Sequence, residues 1–114
     1  MYLQIQNRWE TTMKKDIHTK AADNLFAAIL SLKNEEECYK FFEDICTINE
    51  LHSLAQRFDV GVRLLQKQTY QEISGATGAS TATISRVNRS LNYGNDGYDM
   101  VLDRMENENT DKQA

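Results

Sequence analysis

Leu25, Phe26, Ile29, Leu30 and Leu32 recur at the three- and four-residue spacing that lines one face of an α-helix, and they predict a helix over 21–33. Asn34 follows as an N-cap, with Glu35, Glu36 and Glu37 in the first turn, where carboxylates favour the positive end of the helix dipole. Cys38, Phe41, Phe42, Ile45 and Cys46 give this second helix its inner face. Thr47-x-x-Glu50 is a capping box, in which hydroxyl and carboxylate each satisfy a backbone donor at a helix start. It opens a long helix to about Gln68, with Leu51, Leu54, Ala55, Phe58, Val62 and Leu65 on the apolar side. Thr69-x-x-Glu72 repeats the box before a short helix that turns Ile73 and Ala76 inward. Gly78 suits the positive φ just past a helix end, and Ser80 caps the next helix, spaced by Ala82, Ile84, Val87 and Leu91. The stretch 92–95 stops that helix, and Asp96 can cap a last one carrying Tyr98, Met100, Val101, Leu102 and Met105.

This pattern predicts an all-α chain of about six helices. Proline is absent and there are 5 glycines in 114 residues, which suits helices joined by short connections. Residues 1–20 show little periodicity and read as an arm, residues 21–105 as one domain, and the polar stretch 106–114 as a disordered tail. Met13 offers an alternative start, so the first dozen residues need not belong to the functional protein. Three upstream helices this rich in Leu and Phe carry more apolar surface than one small bundle buries, which predicts a homodimer.

The stretch 69–91 has the form of a helix-turn-helix. With Ala79, Ile84 and Val87 packed inward, Thr81, Ala82, Ser85, Arg86 and Arg89 face outward. Small polar residues approach base edges closely and arginines reach phosphates, so this face suits a major groove. An ordinary αα-corner has the same outline, but its outer face would not need to exclude Asp and Glu.

Charge sharpens the picture. The net charge of −4 excludes nucleic-acid binding by bulk charge. Yet residues 57–93 carry Arg57, Arg63, Lys67, Arg86 and Arg89 against Asp59 and Glu72, a local net of +3. A basic segment within an acidic chain fits site-specific binding with a modest electrostatic contribution. Cys38 and Cys46 lie about 12 Å apart along a helix, too far for a disulfide, and are expected to pack as small hydrophobes in a reducing compartment. No apolar run reaches membrane-spanning length and no signal-peptide core opens the chain, so a cytoplasmic protein is expected, nucleoid-associated when bound to DNA. His18 and His52 lack zinc-ligand spacing, no catalytic triad is recognisable, and no Gly-Lys-Ser/Thr follows Gly78 to make a phosphate loop. No enzymatic activity and no metal are expected.

The runs LFAAILSLKNEEECYKFFEDICTINELHSLAQRF, GASTATISRV and LNYGNDGYDMVLDR resemble the Trp-repressor-related YerC/YecD family. The resemblance covers about residues 23–105. It implies a Trp-repressor-like helical fold, an intertwined dimer built from the upstream helices, and a helix-turn-helix for operator DNA. It places Tyr70, Gln71 and Ser74 on the first helix of the reading head, and Ser80, Thr81, Ala82, Thr83 and Ser85 on the turn and second helix. The two arginines that hold a corepressor carboxylate in the repressor match Arg57 and Arg86, and Thr47 and Ser90 match other residues of that pocket. Val87 stands where the repressor has a glycine that admits the indole, and Asp44 where it has an apolar residue. Both departures argue against tryptophan as corepressor, and no cofactor is expected.

The expected function is therefore a homodimeric, sequence-specific transcriptional regulator of double-stranded DNA. Gln71, Ser80, Thr81, Ala82, Thr83, Ser85, Arg86 and Arg89 would contact DNA, and Thr47, Arg57, Arg86 and Ser90 would line an effector pocket. The alternatives are a helix-turn-helix-like module that docks a protein, or a sensor with an effector other than tryptophan.

Overall fold

The computed structural model describes residues 17–113, with side chains to residue 109, so most of the expected N-terminal arm lies outside the described residues. Among the described residues there are six α-helices and no strand. They are α1 (Lys20–Leu30), α2 (Glu35–Ile45), α3 (Ile48–Leu65), α4 (Tyr70–Thr77), α5 (Thr81–Tyr93) and α6 (Gly97–Gln113). The chain divides into two compact units, Met1–Ile45 and Cys46–Ala114.

The first unit holds α1 and α2. Thr19 caps α1, its hydroxyl accepting the Ala22 N–H at 3.0 Å. Asn34 caps α2 by accepting the Glu37 N–H, while the Glu37 carboxylate accepts the Lys33 N–H, both at 2.9 Å. Phe41 and Phe42 meet edge to face with centroids 5.6 Å apart. Neither helix has a single buried residue. Leu30 is 84% exposed, and Phe26, Tyr39 and Ile45 are also exposed. Cys38 is exposed and Cys46 half-buried just beyond the end of α2, so Cys38 does not pack as the small hydrophobe expected of it.

The second unit is built on α3. Its capping box forms in full: the Thr47 hydroxyl accepts the Glu50 N–H at 3.0 Å and the Glu50 carboxylate accepts the Thr47 N–H at 2.8 Å. That backbone donor, and then the Thr47 hydroxyl, hold the Glu50 carboxyl below its ordinary value. A carboxylate lowered in the folded state stabilises it fully above the ordinary Glu range. That contribution disappears as pH falls through the lowered value. Glu50→Gln is therefore expected to lower the thermal midpoint at neutral pH, with the difference from wild type shrinking below about pH 4. A gap that stayed constant down to about pH 2 would contradict the ionic half of the cap.

The long helix stops at Leu65 and not at Gln68, because Lys67 turns to a φ of 66° and its N–H folds back on the Leu64 carbonyl. Along α3, Val60 and Gly61 are buried, Leu64 packs against the core and Phe58 packs against Tyr98 of α6. The expected stripe is different. Leu51, Phe58 and Val62 are half-buried, while Leu54, Ala55 and Leu65 are exposed. The core is small: Val60, Ile73, Ala79, Ile84 and Val87, with Leu64 and Tyr98 packed against it.

Gly61 makes room for α6. The Tyr98 ring lies where a Cβ at residue 61 would come within 2.6 Å of it, stacks on Phe58 at 6.3 Å, and its hydroxyl reaches the Arg57 carbonyl at 3.5 Å. Gly61→Ala must displace that ring, an overpacking cost of about 1–3 kcal/mol that the better helix propensity of alanine offsets by about 1 kcal/mol. A net loss of stability is expected in chemical denaturation, and a stabilised variant would show that the ring is not seated there. The last helix starts at Gly97, where the Asp96 carbonyl accepts the Met100 N–H; the expected side-chain cap by Asp96 does not form. It continues to Gln113, past the Met105 end that the apolar spacing predicts and through the stretch expected to be a disordered tail.

Candidate nucleic-acid interface

Short-range chemistry sets each turn of the α4–α5 corner. The Thr69 hydroxyl accepts the Glu72 N–H at 3.1 Å and starts α4. This is the Thr half of the expected box, since the Glu72 carboxylate makes no bond to Thr69. At the other end Gly78 takes a φ of 73° and donates its N–H to the Ser74 carbonyl. A left-handed φ is costly for any residue with a Cβ, which is why glycine serves here. Beside it the Thr77 hydroxyl donates to the Ile73 carbonyl at 2.7 Å and accepts the Ala79 N–H at 3.1 Å. Ser80 then caps α5, accepting the Thr83 N–H at 3.1 Å.

Ile73, Ala79, Ile84 and Val87 are buried, as their spacing requires. Ala76 is exposed, and Thr77 is the partly buried residue at the end of α4. On α5 the residues Thr81, Ala82, Ser85, Arg86 and Arg89 are exposed, and Gln71 on α4 is exposed as well. Arg86 and Arg89 have no carboxylate partner; the ion pairs among the described residues are Lys40–Glu36 and Arg63–Asp59. Thr83 is half-buried, and its hydroxyl meets that of Ser80 at 3.1 Å, so both are engaged in the cap of α5.

Of the four residues expected to form an effector pocket, Arg57 lines a groove at the start of α3. The groove is shallow and is lined as well by Cys46, Asn49, Glu50, Ser53 and Leu54. The Thr47 hydroxyl serves its capping box, the Arg57 Nε donates to the Ser53 carbonyl at 3.4 Å, and the Ser90 hydroxyl donates to the Arg86 carbonyl at 3.3 Å. Among the described residues Arg57 makes no ion pair with Glu50 or Asp44. Val87, at the position of the repressor's glycine, is buried in the core. Among the described residues no three His, Cys, Asp or Glu side chains cluster as metal ligands, and no helix is long and apolar enough to cross a membrane.

Two residues that position this site escaped the periodicity. Val60 lies on a second apolar stripe of α3, four residues before Leu64, a spacing visible in the chain but overshadowed by the richer stripe beside it. Gln56 donates its Nε2–H to the Thr77 carbonyl at 3.2 Å, across 21 residues, and nothing local announces that bond.

A capped short helix, a left-handed glycine turn and a second capped helix with an outer face free of acids define a helix-turn-helix protein. A family model described as Trp repressor protein matches residues 20–106, and the chain belongs to that family, a family of regulators. It is 58% identical over 95 residues to YerC, an uncharacterized protein of Bacillus subtilis (strain 168), a match spanning 83% of this chain and 91% of that one. Two crystal structures share the fold. A TrpR-like protein from Eubacterium eligens ATCC 27750 superposes with a TM-score of 0.79 at 61% identity, covering 81% of this chain and 95% of its own. A candidate Trp repressor from Staphylococcus aureus gives 0.78 at 55% identity, covering 81% and 92%.

Proposed function

We propose that this protein is a homodimeric, sequence-specific transcriptional regulator that lays α5 of each subunit in the major groove of a palindromic operator. The observation that carries this reading is the outer face of α5. Thr81, Ala82, Ser85, Arg86 and Arg89 stand exposed and free of acids on a helix whose opposite side, through Ile84 and Val87, is locked into the core. Base contacts then fall to Thr81, Ala82 and Ser85, because the Ser80 and Thr83 hydroxyls are engaged with each other. Gln71 adds a contact from α4, and Arg86 and Arg89 reach phosphates or guanine.

The second subunit is called for by the apolar residues that one chain leaves uncovered. No residue of α1 or α2 is fully buried, and α3 spends the stripe of Val60 and Leu64 on its own reading head while Leu54 and Leu65 remain exposed. A second copy covering these side chains would set two reading heads against half-sites centred about 34 Å apart. With Val87 filling the position of the repressor's glycine, this reading involves no tryptophan.

Selection of bound sequences from random duplex DNA at near-physiological salt tests the proposal. An enriched palindrome is the expected result. No enrichment from a folded dimer would refute direct operator recognition by the protein alone.

A further inference from the structure

The reading head meets α3 mainly through Val60 and Leu64 against Ile73, Ala79, Ile84 and Val87. Such apolar contact is non-directional: it holds two surfaces together without fixing how one is turned on the other. A hydrogen bond is directional, weakening steeply once donor and acceptor leave alignment. Among the described residues one hydrogen bond runs from α3 into the α4–turn–α5 corner, from Gln56 Nε2 to the Thr77 carbonyl at 3.2 Å. Its acceptor sits at the hinge of the corner. Thr77 is the last residue of α4, its hydroxyl ties the Ile73 carbonyl to the Ala79 N–H, and the left-handed Gly78 follows it. Gln56 is half-buried between the exposed Ala55 and Arg57.

We infer that Gln56 is a positioning residue that sets the angle at which α5 is presented, and through it the discrimination between operator and other DNA. This rests on the proposed function and adds a residue that would touch no nucleotide. Gln is suited to the role because its amide supplies an N–H at the reach needed. A methionine keeps the length without the donor, and a glutamate presents a carboxylate to the Thr77 carbonyl. Leaving a partly buried carbonyl unpaired, or facing it with a negative charge, frees the turn without removing any apolar contact of the core.

Gln56→Met and Gln56→Glu in the full-length chain provide the test, with two readouts. The first is the ratio of affinities for the selected palindrome and for unrelated duplex at equal salt. It is expected to fall about tenfold for Met and further for Glu, with affinity for unrelated duplex kept within about twofold. The second is amide hydrogen exchange without DNA, where the Ala79 N–H is expected to exchange several-fold faster in both variants while Val60 and Ile84 stay protected. Wild-type discrimination together with unchanged Ala79 exchange would overturn the inference. If the wild-type chain selects no sequence, the proposed function falls. The exchange at Ala79 then still decides whether Gln56 holds the turn.

Discussion

Truncating Ile84 to alanine is expected to cost about 2–5 kcal/mol and to lower the thermal midpoint by about 10 °C or more. Ile84 is fully buried, and among the described residues the other buried members of its core are Val60, Ile73, Ala79 and Val87. Neighbours this few, held by capped helices at both ends of the turn, cannot close on the space that three missing carbons leave. The cavity penalty therefore adds to the lost transfer free energy instead of being relaxed away. Because Ile84 ties the inner side of α5 to the core while Ser85 and Arg86 stand on the outer side, loss of DNA binding should accompany loss of structure. Thermal unfolding followed by circular dichroism would measure it. A change below about 1 kcal/mol would mean that α5 is not seated on this core.

Replacing Arg86 and Arg89 together by alanine is expected to abolish operator selection and flatten the dependence of affinity on salt. Both side chains are exposed and, among the described residues, without a carboxylate partner, so their charge is available to an incoming phosphate with no such ion pair to break. Each phosphate contact contributes about 0.9 to the slope of log affinity against log salt on duplex DNA. Two arginines in each of two subunits would thus remove about 3.6 from that slope if all four contact phosphate. A smaller change in slope with loss of preference at a guanine would instead place one arginine on a base edge. The double variant should fold as wild type, since exposed arginines contribute little to stability. Titration at several salt concentrations decides between these contacts. A slope and a selected sequence both unchanged would remove α5 from the interface.

The order of the helices and four of their caps were legible in the chain because capping is a matter of three or four residues. Asn34, Thr47, Thr69 and Ser80 each accept a backbone N–H three residues on, and Gly78 meets a left-handed turn within its own corner, whereas the Thr19 cap lay in a stretch read as an arm and the Asp96 cap does not form. Resemblance to the Trp repressor family was legible in runs that include the caps Asn34, Thr47 and Ser80, and the match extends over 20–106. The inward set of the reading head, Ile73, Ala79, Ile84 and Val87, also followed from spacing alone.

Spacing could not say which of two apolar stripes on α3 the reading head would take. A stripe records that a surface needs covering and carries no mark of what covers it, so the richer row of Leu51, Phe58 and Val62 concealed the row of Val60 and Leu64. Nor could it show that Gln56 would reach a carbonyl 21 residues away. The sequence by itself thus determined the order of the helices, the caps at Asn34, Thr47, Thr69 and Ser80, and the chemistry that α5 offers to solvent, all set within a turn or two of chain. Tertiary structure alone decided which side of α3 carries the reading head and how Gly61 and Gln56 seat what packs there, because those contacts exist only once distant segments meet.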